Sequence, residues 1–134
     1  MGLVQAAVLV LDCAEPLKLA EFYRELLDGE VRPDPGGNRV ELIGTDGTRI
    51  AFRLDLNAVA PSWPRPDDSQ QAHLELLAAP EDLDEVERRI VGLGGRPLET
   101  RADHGRTDDR QYSDPAGHPF SLRSPLQPAE PKTS

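Results

Sequence analysis

The stretch VQAAVLVL, residues 4–11, opens a pattern that the chain later repeats, and this repetition decides the fold. The apolar run predicts a short strand. The proline and helix formers after it predict a helix over about residues 16–28 that ends at a glycine. The second half begins in the same way, with QAHLELL at residues 71–77 and a helix predicted over about residues 80–93. The pattern indicates two βαβββ units, each too small to bury its own core, in one α+β domain, with the functional site where their sheets meet.

Both predicted helices carry one apolar face. In the first helix apolar residues recur at the spacing of an amphipathic helix, and Pro16 suits its first turn because no hydrogen-bond donor is needed there. In the second helix acidic residues crowd the start and Arg88 and Arg89 lie near the end, which complements the helix dipole. The side chains expected on the two buried helix faces are Leu19, Phe22, Tyr23, Leu26, Val86, Ile90 and Leu93.

Composition and charge limit the possible partners. A chain of 134 residues is long enough for one domain with a real core, and its formal net charge of −9 disfavours nucleic acid and anionic membranes. No apolar run approaches the ~18 residues of a membrane span, and residues 1–4 lack the features of a secretory signal. The single cysteine, Cys13, excludes an internal disulfide and is typical of a small buried residue in a reducing compartment. We therefore expect a cytoplasmic protein that binds neither nucleic acid nor a membrane.

Turn-rich stretches mark the boundaries between segments. Residues 57–69 are rich in proline, aspartate and serine and predict a linker between module 1, about residues 4–56, and module 2, about residues 70–124. Together these segments predict one domain over residues 1–124. Residues 125–134 have little apolar content and are expected to form a disordered tail.

Several predicted strands have one apolar and one polar face, because side chains alternate along a strand. The polar side chains at mid-strand are Gln5, Arg49, Arg53, His73, Glu75 and Ser121. One interpretation is an antiparallel sheet with one solvated face. The other is that the polar faces line a shared cleft.

Three motifs follow one another in a characteristic order. They are LDCAEP at residues 11–16, leading to Phe22 and Tyr23, then AHLEL at residues 72–76, and DPAGHPFSL at residues 114–122. In this order they resemble the vicinal oxygen chelate superfamily, specifically its glyoxalase-like and bleomycin-resistance-like branch. The resemblance covers about residues 4–124. It implies paired βαβββ modules that form an open, cup-shaped mixed sheet of eight strands.

Metal-dependent members of this superfamily bind a divalent ion through four mid-strand side chains, usually histidine, glutamine or glutamate. The resemblance carries these four positions onto Gln5, Arg53, His73 and Ser121. An arginine beside a divalent ion is electrostatically unfavourable, and two neutral ligands without a carboxylate rarely hold such an ion. Glu75, on the same face as His73, could in principle assist. We therefore predict no metal and no other cofactor in the site.

Two classes of function stay open for such a site. In the first, the protein binds a small, polar or anionic organic molecule, because the guanidinium fork of an arginine pairs with carboxylate or phosphate. The candidate ligand-binding residues are Gln5, Arg49, Arg53, His73 and Ser121. In the second, the protein is a metal-independent isomerase or lyase in which His73 and Glu75 act as acid and base. A further interpretation is that Arg53, His73 and Glu75 only neutralise one another.

Binding is the favoured class, because the sequence shows no activated nucleophile, cofactor loop or complete metal set. A metal-dependent glyoxalase or dioxygenase is the least favoured alternative. A homodimer is also expected, since the resemblance implies that small duplicated cups often pair. Trp63, in the predicted linker, offers an apolar anchor for such a contact.

Overall fold

The computed structural model describes residues 2–58, 72–98 and 109–125. The chain divides into two compact units. The first comprises Met1–Pro61 together with Asp114–His118, and the second comprises Ser62–Ser113 together with Pro119–Ser134. The turn at Asp114–His118 therefore belongs to the first unit, although the strands on either side of it belong to the second.

The first unit is a four-stranded sheet with one helix. Its elements are β1 (Leu9–Cys13), α1 (Pro16–Leu27), β2 (Gly29–Pro33), β3 (Arg39–Gly44) and β4 (Arg49–Leu54). The strand order is β1-β4-β3-β2, in which β1 pairs with β4 in parallel and the other pairs are antiparallel. The edge strand β1 is thus held by β4 on one side.

The second unit repeats this arrangement. Its elements are β5 (Leu74–Leu77), a 3₁₀ turn (Pro80–Asp82), α2 (Leu83–Gly92), β6 (Arg96–Leu98), β7 (Asp109–Ser113) and β8 (Pro119–Arg123). The strand order is β5-β8-β7-β6, with β5 and β8 parallel and the rest antiparallel. The predicted α+β fold of two βαβββ modules is confirmed.

The core of the first unit lies between α1 and one face of its sheet. Leu19, Phe22 and Tyr23 are buried on the helix, as predicted, whereas Leu26 is half-buried. The strand residues that face them are Val40, Leu42, Ile50 and Phe52, all almost fully buried. The ring of Tyr23 stacks on that of Phe52, with their centroids 5.8 Å apart. Burial of these apolar side chains is what holds the helix on the sheet.

The glycine that follows the first helix, Gly29, is required for steric reasons. Gly29 pairs with Gly44 across β2 and β3, and a Cβ atom at Gly29 would collide with the carbonyl oxygen of Ile43. Only glycine permits this close approach of two backbones.

The core of the second unit is smaller. Leu83 and Ile90 are buried on α2, while Val86 and Leu93, which were predicted on the same face, are half-buried. The buried strand residues are Leu76, Tyr112, Phe120 and Leu122. The ring of Tyr112 stacks on that of Phe120 at 5.5 Å between centroids, and its hydroxyl donates to Glu87 of α2 at 2.5 Å. This contact joins the helix to β7.

The bounds predicted for two strands were wrong. The first strand begins at Leu9 instead of residue 4, so residues 4–8 lie outside it. Pairing explains the difference, because β1 meets β4 in register from Leu9 opposite Ile50, and β4 itself starts only one residue earlier. Likewise β5 begins at Leu74, opposite Phe120 of β8, instead of at residue 71. An apolar alternation indicates an extended chain but does not specify how much of it finds a partner.

Some predictions concern other parts of the chain. Most of the predicted linker with Trp63, and nearly all of the predicted tail, lie outside the described residues. Among the described residues, neither helix has the length and hydrophobicity that a membrane crossing requires.

Candidate functional site

The face of the first sheet that points away from α1 is rich in charge. Along β4, Ile50 and Phe52 pack toward the helix, so Arg49, Ala51 and Arg53 occupy the opposite face. Register places Arg39 beside Arg53, Glu41 beside Ala51, and Asp12 on the other side of Arg53. We call this set the charged face; its members are Asp12, Arg39, Glu41, Arg49, Ala51 and Arg53.

Arg53 is held by Asp12 in a bidentate ion pair. Its Nε lies 2.8 Å from Oδ1 and its Nη2 lies 2.9 Å from Oδ2 of the carboxylate. The pair is open to solvent, since 59% of the Arg53 side chain and 40% of the Asp12 side chain are exposed. The hydrogen bond from Arg53 lowers the pKa of Asp12 below its ordinary value. Because the pair uses Nε and Nη2, the Nη1 donors of Arg53 are left for a ligand.

Arg49 and Arg39 share the second carboxylate of this face. Nη2 of Arg49 donates to Glu41 at 2.7 Å and Nη2 of Arg39 donates to it at 3.4 Å. The hydrogen bond from Arg49 lowers the pKa of Glu41. The Nε atom of Arg49 is buried without a hydrogen-bond partner. The six residues that define the charged face thus include three guanidinium groups and two carboxylates, and the nearby carboxylate of Asp55 also acts on Arg53. Nε of Arg49 is a buried donor of this face that has no acceptor.

The second sheet presents a polar row on the face away from α2. Glu75, Ser121 and Gln111 stand in register on β5, β8 and β7, while their neighbours Tyr112 and Phe120 belong to the core. Ser121 is only 1% exposed, and its hydroxyl has no hydrogen-bond partner. Buried hydroxyls are normally paired, so Ser121 is a position at which a bound molecule or water would be stabilised.

The expected acid–base pair is not formed among the described residues. Nε of Arg123 donates to Glu75 at 3.0 Å, so this arginine is the cation beside Glu75. His73 lies just before β5 and is exposed, and no hydrogen bond joins it to Glu75 within the described parts of the chain. The carboxylate that binds Arg53 is that of Asp12.

The partners in one polar network, around Asp114, were not predicted from the sequence. The buried carboxylate of Asp114 accepts hydrogen bonds from the backbone N–H groups of Ala116 and His118, both at 2.9 Å, and from the hydroxyl of Tyr23 at 2.7 Å. These bonds close a tight turn in which Gly117 has a φ of 95°. The sequence Asp-Pro-Ala-Gly-His, in which an aspartate precedes typical turn residues, predicts the turn but does not indicate the bond to Tyr23.

The imidazole of His118 completes this network. Its Nδ1 lies 3.0 Å from Oδ2 of Asp114, and its Nε2 lies 2.9 Å from the backbone oxygen of Asp12. Both partners are acceptors, so both ring nitrogens donate when the imidazole is protonated. Burial works against the charged ring, but the carboxylate of Asp114 and the carbonyl of Asp12 outweigh it and raise the pKa of His118 above its ordinary value.

A pH dependence of stability follows from this shift. The folded state favours the protonated ring, so His118 contributes its full stabilisation below its ordinary pKa of 6.5 and loses it as the pH rises through the higher folded pKa. The free energy of unfolding, measured with urea at a series of pH values, should therefore contain a component that falls as the pH rises above 6.5. His118→Gln, which cannot titrate, should lack that component. Identical pH slopes for the two proteins would contradict the assignment.

The positions expected for a metal do not fit a divalent ion. Gln5 lies outside β1 and is exposed, and His73 lies outside β5. Arg53 places a cation at the second position, and Ser121 offers only a neutral hydroxyl at the fourth. Within residues 2–58, 72–98 and 109–125, no group of three His, Cys, Asp or Glu side chains is arranged to hold a metal.

Comparison with protein families identifies the chain. The model of the glyoxalase-like domain matches residues 8–123. The protein belongs to the glyoxalase-like family of the vicinal oxygen chelate superfamily. A comparison with functionally curated proteins finds no match.

Solved structures of low identity share the fold. A fosfomycin resistance protein FosX variant from Listeria monocytogenes, complexed with Mn(II) and 1S,2S-dihydroxypropylphosphonic acid, is 17% identical, with a TM-score of 0.67 over 94% of this chain and 93% of that one. FosX from Mesorhizobium loti is 11% identical, with a TM-score of 0.66 over 91% and 92%. A glyoxalase/dioxygenase from Nostoc punctiforme is 17% identical, with a TM-score of 0.65 over 95% and 99%. At these identities the likeness establishes the fold alone.

Proposed function

We propose that this protein binds a small organic molecule with an anionic or strongly polar group, without a metal ion, on the charged face of the first sheet. The observation that carries the proposal is the cluster of three guanidinium groups there, in which Nη1 of Arg53 and Nε of Arg49 are not used by the neighbouring carboxylates. In a protein of net charge −9, guanidinium donors that are left over in this way are places where an anion can bind. The Nε donor of Arg49 is buried without an acceptor, so it has lost its hydrogen bond to water and gained none in the protein. A ligand that accepts from it would restore that bond.

The ligand class agrees with what related folds hold. Listeria FosX has been solved with Mn(II) together with a phosphonic acid or with a sulfate ion. The tetrahedral oxyanions in those complexes are the kind of group that a guanidinium fork pairs with. In this chain arginines would supply the positive charge, since the positions expected for metal ligands do not fit an ion.

Other candidate residues stay predictions. The unpaired hydroxyl of Ser121 makes it a hydrogen-bonding position for a ligand on the second unit. Gln5 and His73 are exposed and lie outside the strands on which they were expected. The alternative function, a metal-independent isomerase or lyase with His73 and Glu75 as acid and base, gains no supporting contact because Glu75 pairs with Arg123.

The predicted homodimer has a surface that would suit it. Leu3 and Val4 are almost fully exposed, and Val10 on the edge strand is partly exposed. Apolar side chains of this size are stabilised when a second copy covers them.

The test of the proposed function uses sulfate as a probe. Arg53→Ala should weaken the binding of sulfate, measured by isothermal titration calorimetry, roughly ten- to hundredfold, the range expected for a lost hydrogen bond to a charged group. Its melting temperature should change little, because a solvent-exposed ion pair contributes little to stability. Arg88→Ala is the matched control, since Arg88 also forms an exposed ion pair, with Glu85 of α2, and lies outside the charged face.

Two results would count against this proposal. If sulfate binds equally well to the wild type and to Arg53→Ala, the charged face is not the anion site. If Arg88→Ala weakens binding as much as Arg53→Ala does, the effect reflects net charge and not a built site.

A further inference from the structure

The turn at Asp114–His118 and the charged face share one residue, Asp12. The backbone oxygen of Asp12 accepts a hydrogen bond from Nε2 of His118, and its side chain holds Arg53 in the bidentate pair. A continuous line of polar contacts thus runs from Tyr23 through Asp114, His118 and Asp12 to Arg53. All of these residues belong to the first unit.

The position of Asp12 near the end of an edge strand makes its hydrogen bond with His118 important for holding the main chain in place. Asp12 is the next-to-last residue of β1, the edge strand, which pairs with β4 on one side. Its peptide unit therefore depends on fewer ladder bonds than one in a central strand. The bond from His118 restrains the main chain at the point from which the Asp12 carboxylate reaches Arg53.

We propose that His118 is a positioning residue that makes anion binding at Arg53 depend on pH. The inference rests on the proposed function of the charged face. The protonated ring donates to both Asp114 and Asp12, and so holds the carboxylate that orients the Arg53 guanidinium. When the ring loses a proton, one nitrogen presents a lone pair to an acceptor, and the contact with Asp114 or with Asp12 is lost.

The charged and titratable groups around His118 agree with this role. Asp114 faces Nδ1 and is itself bound by the Tyr23 hydroxyl, and Asp12 faces Nε2. His118 also lines a cavity of about 210 Å³, and the lining of this cavity includes Cys13, Glu15 and Lys18.

His118 is the group among these whose ordinary pKa lies closest to neutrality. Burial raises the pKa of the Tyr23 hydroxyl and of the Cys13 thiol, which moves both away from neutrality. The pKa of Asp12 is lowered by its bond to Arg53. Loss of the imidazolium charge also removes positive potential near Arg53, so anion binding should weaken as the pH rises.

The first experiment needs no ligand. In an NMR titration, the Nε–H resonance of Arg53, assigned by its absence in Arg53→Lys, should shift with pH at the same midpoint as the ring of His118. In His118→Gln, which keeps a neutral donor near the Nε2 position, and in His118→Asn, which keeps one near Nδ1, that transition should disappear. The inference would be overturned if the Arg53 resonance did not change at the His118 midpoint, or if it still shifted there in both variants.

The second experiment measures sulfate affinity across the same titration, because sulfate keeps its charge where histidine titrates. Above the His118 midpoint, sulfate should bind to the wild type at least about five-fold more weakly than below it. This factor is the lower end of typical coupling between sites. His118→Gln should bind with a flat pH profile. Binding with an equal pH dependence in both proteins would contradict the inference while leaving the proposed function intact. If sulfate does not bind at any pH, the proposed function fails and the NMR titration still decides the role of His118.

Discussion

Replacing Asp114 with alanine should lower the free energy of unfolding by about 3–5 kcal/mol, the cost of removing one partner of a buried charged network. The Asp114 side chain is completely buried, and its two oxygens accept from the Tyr23 hydroxyl, two backbone N–H groups and the His118 ring. Alanine would leave these donors without an acceptor and the imidazolium without its counter-charge. Chemical denaturation monitored by circular dichroism measures the effect.

Two comparisons make this result specific. Asp114→Asn keeps the size and one acceptor oxygen, so it should cost about 1–3 kcal/mol, less than alanine does. Asp46→Ala is the matched control, because Asp46 also closes a turn before a glycine and accepts from the N–H and hydroxyl of Thr48, but it is exposed. It should cost less than about 1 kcal/mol. Equal losses for Asp114→Ala and Asp46→Ala would show that burial of the network does not matter.

Phe52→Ala should destabilise the protein by a similar amount, about 3–5 kcal/mol. Phe52 is 0% exposed, stacks on Tyr23, and lies between Leu11 and Val40 in the sheet. Truncation to alanine removes most of the apolar area and leaves a cavity between α1 and the sheet, which the packed neighbours can fill only in part. Urea unfolding at one pH measures the change, with the m-value as a check that both states stay comparable.

The neighbours of Phe52 in the chain provide the controls. Leu56→Ala removes a similar apolar side chain, but one that is 78% exposed, and should change stability by less than about 0.5 kcal/mol. Arg53→Ala affects the residue next to Phe52 on the opposite face of β4 and should also leave stability nearly unchanged. A small effect of Phe52→Ala together with a large one of Arg53→Ala would mean that the two faces of β4 are reversed.

Local sequence patterns predicted correctly those helices, strands and buried faces that are specified by the residues of a single segment. The helix predicted over residues 16–28 is found at Pro16–Leu27, because its apolar stripe and first-turn proline specify it from within. The alternation along β4 correctly separated Phe52 from Arg53. The glycine after the first helix was also recognised, although its reason, the close approach to Ile43, involves another strand.

Partners were predicted less well, because they come from distant parts of the chain. One interpretation of the sequence paired Arg53 with His73 and Glu75, whereas its carboxylate is Asp12, 41 residues away and in register on the adjacent strand. Glu75 has Arg123 instead. The hydrogen bond of His118 to Asp12 spans 106 residues, and a turn motif alone does not indicate where its histidine will reach.

The amino-acid sequence by itself determined the duplicated βαβββ plan, the presence of both helices and the family, because these depend on periodicity and short motifs within each segment. Only the tertiary structure decided where β1 and β5 begin, which carboxylate holds Arg53, and that Asp114 and His118 join Asp12 and Tyr23 in one network. The physical reason is that hydrogen bonds between strands set the register, and register depends on two segments at once. The charge of a side chain follows from the sequence, whereas the group that it contacts depends on the pairing of strands that are far apart in the chain.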